Sequence, residues 1–195
     1  GVTVVEAEMQ EVSSWLGEMS EPIRAWELER ALEAYLSASG AAVDFRLLVA
    51  GIAGQYVREE FDEALRGTDT KDLAARYEHV ISVSLPRCRK QYCAHLEQYK
   101  LDAIIFPTTP IAATALGEEG RVVVDGKEVS VWKTMRNTVP ATFFGAPGVS
   151  VPMARSVRGV PAGLEIDGLP GADRKVLAIA AAIEAMQSKE HGMRR

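Results

Sequence analysis

The stretch Leu101-Asp-Ala-Ile-Ile-Phe-Pro-Thr-Thr-Pro110 decides the reading of the chain, together with Thr138-Val-Pro-Ala-Thr-Phe-Phe-Gly-Ala-Pro-Gly-Val-Ser-Val-Pro152 and Val160-Pro-Ala-Gly-Leu-Glu-Ile166. Each contains a short apolar run bounded by proline or glycine. Asp102 to Phe106 predicts a buried strand that Pro107 and Pro110 stop, because proline supplies no donor to a ladder. Gly148 to Val151 and Ala162 to Ile166 predict two more strands. Between them, Arg121 to Val131 predicts a hairpin with Asp125-Gly126 as its two-residue turn. Trp132 to Phe144 predicts one helix with an awkward Pro140. Val176 to Ile183 predicts an alanine-rich helix that Asp173 caps or favours electrostatically. Strands alternating with helices make this part α/β, a mixed sheet with covering helices.

The first hundred residues read differently. Val2, Val4 and Val5 predict an opening strand. Ser20 with Pro22 predicts a helix start, and apolar positions at helical spacing run from Ile23 to Leu36, with Gly40 as the stop. Phe45 to Leu65 predicts one or two helices ending at Gly67. From Thr70 an apolar stripe, including Leu73, Val80, Cys88, Tyr92 and Leu96, continues to about Tyr99, with Pro86 kinking or splitting it. The expected organisation is therefore one domain: mostly helical cover over residues 1–100 after the opening strand, an α/β part over 101–187, and a polar tail over 188–195.

Composition bounds the function. The chain has 195 residues, 47% of them hydrophobic and 25% charged, which suits a folded domain with a real core. A net charge of −5 argues against nucleic acid as a main partner, since phosphate binding needs a dense basic face. No apolar run approaches the roughly 20 residues of a membrane helix, and the N-terminus has no signal-peptide pattern. Cys88 and Cys93 lie five apart on a predicted helix, a poor geometry for a disulfide, and fit a reducing, cytoplasmic setting.

No catalytic group stands out. His79, His95 and His191 are isolated, and the cysteines form no zinc spacing, so neither metal nor cofactor is expected. Gly148-Val-Ser150-Val-Pro152 lacks the closing glycine of a nucleophile elbow, which leaves Ser150 as a core strand residue. Ser130-Val-Trp-Lys133 fits the Ser-x-x-Lys spacing. With 11 serines and 7 lysines in 195 residues, about 0.4 such pairs arise by chance. Ser130 also sits at a strand-to-helix junction, where serine is an ordinary N-cap.

In order and spacing, the Pro-Thr-Thr-Pro piece, the Gly-x-Pro-x-x-x-x-Pro piece, Gly159-Val-Pro-Ala-Gly-Leu164 and Gly171-Ala-Asp173 resemble the C-terminal half of the amidase signature family of serine amide hydrolases. The match is best from Leu101 to Ala185. The resemblance implies cleavage of amides by a serine nucleophile, assisted by a serine in a cis peptide and a lysine, without metal or organic cofactor. In the family those groups come from a Gly/Ser-rich segment and a preceding lysine. No Gly-Gly-Ser-Ser tract occurs here. The implied partners are a missing N-terminal half of the same enzyme and a small-molecule amide, with a second copy of the chain as another cover for exposed apolar surface. The flavour is that of aryl-acetamide and mandelamide hydrolases.

The resemblance also implies that Trp132 to Phe144 lines the acyl pocket. Thr138, Ala141 and Thr142 then share a helical face, joined by Met135, where glutamine-binding amidotransferase relatives carry an aspartate. These four are the expected substrate-binding residues, and an apolar Met135 favours an uncharged, aromatic acyl group. A competing reading is a stand-alone, non-catalytic α/β binding or scaffolding domain, because fold does not fix function.

Overall fold

The computed structural model describes residues 2–9, 12–66, 70–116, 120–153 and 159–192. Two compact units emerge, one of residues 14–87 and one combining 1–13 with 88–195.

The first unit is helical. Helix α1 runs Val12–Ser39 and contains Pro22 in its interior. The expected start at Ser20 is thus wrong: apolar Trp15 and Met19 extend the helix toward the N-terminus, and both are buried. Ser20 Oγ donates to the Leu16 carbonyl at 2.6 Å instead of capping. Gly40 ends the helix at φ +69°, a left-handed conformation that glycine adopts without a Cβ penalty. Helices α2 (Phe45–Ala50) and α3 (Gln55–Arg66) follow. Asp44 caps α2 by accepting from the Leu47 N–H at 2.8 Å. The predicted stop at Gly67 lies outside the described residues. Helix α4 (Thr70–His79) leads into a π-helical turn, Val80–Ser84, and then into α5 (Leu85–Gln98), which from Cys88 on belongs to the second unit. The widened turn precedes Pro86, whose ring nitrogen cannot donate. Within this unit Trp26 stacks on Tyr77 at 5.3 Å, and the Tyr77 hydroxyl donates to Glu27 at 2.7 Å. The buried Ser84 hydroxyl donates to Glu18, which also pairs with Arg87 at 2.9 Å. Those bonds, the Ser84 one foremost, hold the Glu18 carboxyl below its ordinary pKa.

The second unit is α/β. Strands β1 (Ile104–Pro107), β4 (Gly148–Pro152) and β5 (Gly163–Asp167) form an antiparallel sheet in the order β1-β5-β4. Strands β2 (Arg121–Val124) and β3 (Lys127–Ser130) form the expected hairpin. Asp125 and Gly126 sit at φ +51° and +74°, the twin positive values of a primed hairpin turn. Val2, Val4 and Val5 correct an expectation: residues 2–9 carry no strand, and these valines are 64%, 71% and 51% exposed. β-branched side chains favour extended backbone, but a strand exists only through a paired neighbour.

Register sorts the sheet into two unlike faces. Ile105 and Val149 flank Ile166, and Pro107 and Val151 flank Leu164. Since alternate residues face alternate sides, these form one apolar face. It packs on helix α7 (Asp173–Gly192) through a core of Val151, Ile166, Val176 and Ala180, with Val149, Leu164 and Ile179 around it. Gly168 approaches α7 so closely that a Cβ there would lie 2.5 Å from Val176 Cγ2. Asp173 occupies the first turn of α7, while Ala172 supplies the carbonyl that accepts from the Val176 N–H at 3.0 Å; the favourable role of Asp173 is electrostatic. Residues 188–192, expected as tail, continue the helix.

Candidate functional site

The segment expected as one helix from Trp132 to Phe144 is two. A 3-10 helix, Val131–Met135, gives way to a turn and then to α6, Val139–Phe144. Pro140 explains the break. It fits the first turn of a new helix, where its missing N–H costs nothing, but not the interior of a longer one. Gly145 closes α6 at φ +63°.

This break redistributes the four expected substrate-binding residues. Met135 ends the 3-10 helix and is 44% exposed. Thr138 precedes α6 but does not cap it with its side chain. Its N–H and its hydroxyl both donate to the Met135 carbonyl, at 3.1 and 3.0 Å. Thr142 is exposed, and its hydroxyl donates to the Thr138 carbonyl at 3.4 Å. Ala141 is buried toward β4, where its Cβ lies near the open side of Gly148. Thus Met135, Thr138 and Thr142 reach a surface, while Ala141 packs the interior.

The turn is tied to the end of β1. Asn137 Nδ2 donates to the Pro107 carbonyl at 2.8 Å. One residue on, the Thr108 N–H donates to the Gly163 carbonyl at 2.9 Å. The Thr108 and Ser150 hydroxyls are hydrogen-bonded at 2.5 Å directly above Gly163, where a Cβ would lie 2.5 Å from Ser150 Oγ and 2.6 Å from Thr108 Oγ1. Ser150 is therefore a strand residue, as expected, but an exposed one on the polar face instead of a core one.

That polar face also holds two buried acids. Glu165 and Asp167 are 7% and 2% exposed, and both approach Gly148, whose Cβ would lie 2.7 Å from Asp167 Oδ1 and 3.0 Å from Glu165 Oε1. Asp167 Oδ1 has no hydrogen-bond partner among the described residues. Burial first, then the charge of Glu165, pushes the Asp167 carboxyl up to about 7. Beside it, Tyr92 donates its hydroxyl to the Gly168 carbonyl at 2.9 Å and packs on Phe144 at 5.1 Å. Burial, reinforced by Asp167, raises the Tyr92 phenol well above its ordinary value.

Ser130 ends β3 directly before the 3-10 helix. The Lys133 side chain lies outside what is described. His95 lies 4.9 Å from Tyr99, ring to ring, and both cysteines are free thiols. Among the described residues no group of three or more His, Cys, Asp or Glu could hold a metal ion, and no helix is long and apolar enough to cross a membrane. Sequence reasoning passed over Asn137 and the Glu165–Asp167 pair. The available signals were an asparagine ahead of a Thr-x-Pro helix start, and two acids two apart on a strand, which must share a face.

Comparison with known proteins gives this arrangement its setting. The Amidase family matches residues 1–177, and the chain belongs to that family. It is 35% identical over 185 residues to an indoleacetamide hydrolase of Agrobacterium vitis, covering 94% of this chain and 39% of that protein. It is 34% identical over 202 residues to a mandelamide hydrolase of Pseudomonas putida, covering 95% of this chain and 37% of that protein. The chain thus spans about two fifths of the length of these curated relatives. The crystal structure of an amidase superposes with a TM-score of 0.67 at 22% identity, over 90% of this chain and 36% of that one. A bacterial aryl acylamidase of the amidase signature family gives 0.56 at 21% identity, over 93% and 41%. At such identities the structures establish a shared fold, the mixed α/β fold of amidase signature enzymes.

Proposed function

We propose that this chain is the C-terminal, pocket-forming part of a serine amidase that converts small carboxylic amides of the aryl-acetamide or mandelamide type into ammonia and the acid. The observation that carries the reading is its identity, above 30% across nearly its whole length, to hydrolases of indoleacetamide and mandelamide. Indoleacetamide and mandelamide both join an aromatic group to a short amide, and the exposed Met135 offers such an acyl group an apolar surface. A serine amidase needs a base for its nucleophile and donors for the oxyanion. Those groups come from a Lys and Gly/Ser-rich segment of the complete protein, in its N-terminal half, and this chain by itself is inactive. Edge strands β1 and β4, and the exposed Ile105 on β1, are suited to cover by that half, since an unpaired edge with apolar side chains invites pairing. The protein works in the cytoplasm, in keeping with its free thiols.

In this reading Met135, Thr138 and Thr142 select substrate, with Ala141 supporting them from below. The test is ammonia release from phenylacetamide, mandelamide and a small polar amide by the complete protein and by its Met135→Asp variant. Pocket contacts of methylene size are worth about 1–3 kcal/mol of discrimination. The variant should lose kcat/KM for the aryl amides by roughly tenfold or more relative to the polar one. An equal loss for all three removes Met135 from the pocket. No turnover of any amide by the complete protein favours a non-catalytic binding domain.

A further inference from the structure

We propose that Asn137 is a positioning residue that sets the acyl pocket by clamping the Met135–Thr138 turn to the end of β1. The inference rests on the reading of that turn as pocket. Its basis is the hydrogen-bond pattern. Met135 and Thr138 are locked to each other, because the Met135 carbonyl accepts both the N–H and the hydroxyl of Thr138. Asn137 lies between them in sequence, so its side chain orients the pair as a unit. Its amide reaches across 30 positions of sequence to the Pro107 carbonyl at 2.8 Å.

The anchor at the far end is rigid. Pro107 lies in the β1–β5 ladder opposite Leu164. The next residue, Thr108, is held twice: by its N–H to the Gly163 carbonyl and by its hydroxyl to Ser150. Gly163 leaves no spare volume there, since even a Cβ would meet both hydroxyls. Neither end of the turn is comparably fixed by a long helix. The 3-10 helix before it is five residues long, and α6 after it is six. Short helices are marginal by themselves, so one long-range bond carries unusual weight in fixing where Met135 points.

Two variants in two settings test this. Asn137→Ala removes the donor. Asn137→Asp keeps the shape but sets a carboxylate oxygen against the Pro107 carbonyl. In this chain, amide hydrogen exchange at Thr138 should quicken severalfold in both variants while the Ile166 amide in β5 keeps its rate. In the complete protein, KM for phenylacetamide should rise about two- to tenfold in Asn137→Ala, the scale of one neutral hydrogen bond, and further in Asn137→Asp. The kcat should stay within about twofold, since no reacting atom is touched. A fall in kcat with KM unchanged overturns the proposal, as does unaltered Thr138 exchange in both variants. Unchanged KM beside a selectivity shift in Met135→Asp overturns the role of Asn137 alone. Absence of amide turnover in the unsubstituted complete protein overturns the reading beneath it, and the proposal with it.

Discussion

Asp167 is the residue whose surroundings conflict most with its chemistry. Its carboxyl is 2% exposed, lacks a partner for Oδ1, and faces Glu165 on its own strand and the Tyr92 phenol on α5. Burial without compensation disfavours the charged form, which moves titration from 3.8 in the unfolded chain to about 7 in the folded one. The sign follows from proton counts. Between those values the folded state holds a proton that the unfolded state has lost, so stability falls as pH rises. Urea unfolding at pH 5 and pH 8 should show the lower midpoint at pH 8. Asp167→Asn should reduce that difference and gain most at pH 8; an unchanged pH slope in the variant would count against a neutral Asp167. Gly163 illustrates the opposite constraint, a residue defined by what cannot be added. Gly163→Ala drives a methyl into the Thr108–Ser150 pair, and overpacking of this kind costs about 1–3 kcal/mol. Adding Ser150→Ala should recover part of the loss, measured as a double-mutant cycle.

At the level of elements, the β1-β5-β4 sheet turns one apolar face to α7. Ile166 is fully buried at the centre of the α7 core, flanked in register by Ile105 and Val149. Ile166→Ala should therefore cost about 2–5 kcal/mol, read from denaturant midpoints, because a central site collapses poorly around a cavity. Leu177→Ala is the control: that side chain, on α7, is 60% exposed and its loss should cost well under 1 kcal/mol. The elements also show where local signals suffice. Asp125-Gly126 demanded a primed turn, and the hairpin formed around it. Gly40 ended its helix in the expected left-handed conformation. Pro22 and Pro140 were harder, because proline is tolerated or disruptive according to what surrounds it. Buried Trp15 and Met19 carry α1 through Pro22, while Pro140 begins α6 and so divides a segment whose apolar spacing reads as one helix.

For the whole molecule, the expectation is that this chain alone hydrolyses no amide. Removing a nucleophile with its activating groups costs several orders of magnitude in rate. Purified chain assayed with phenylacetamide or mandelamide should stay more than a hundredfold below the complete protein; turnover above that level, abolished by Ser130→Ala, would revive the Ser-x-x-Lys pair. The order of Pro-Thr-Thr-Pro, Gly-x-Pro-x-x-x-x-Pro and Gly-Val-Pro-Ala-Gly-Leu determined by itself the α/β class and the strand positions to within two residues, since prolines and glycines act locally wherever they stand, and the same pieces carried the resemblance to the family. Sequence also placed Met135, Thr138 and Thr142 in one short segment. Only the tertiary structure could decide that Ala141 turns inward, that Ser150 is exposed, and that Val2 to Val5 stays unpaired. It alone brought Asn137 to Pro107 and two acids beneath Gly148. The reason is physical: turn and cap preferences are set by a residue's own backbone, whereas burial, pairing and pKa are set by neighbours that the chain supplies from tens of residues away.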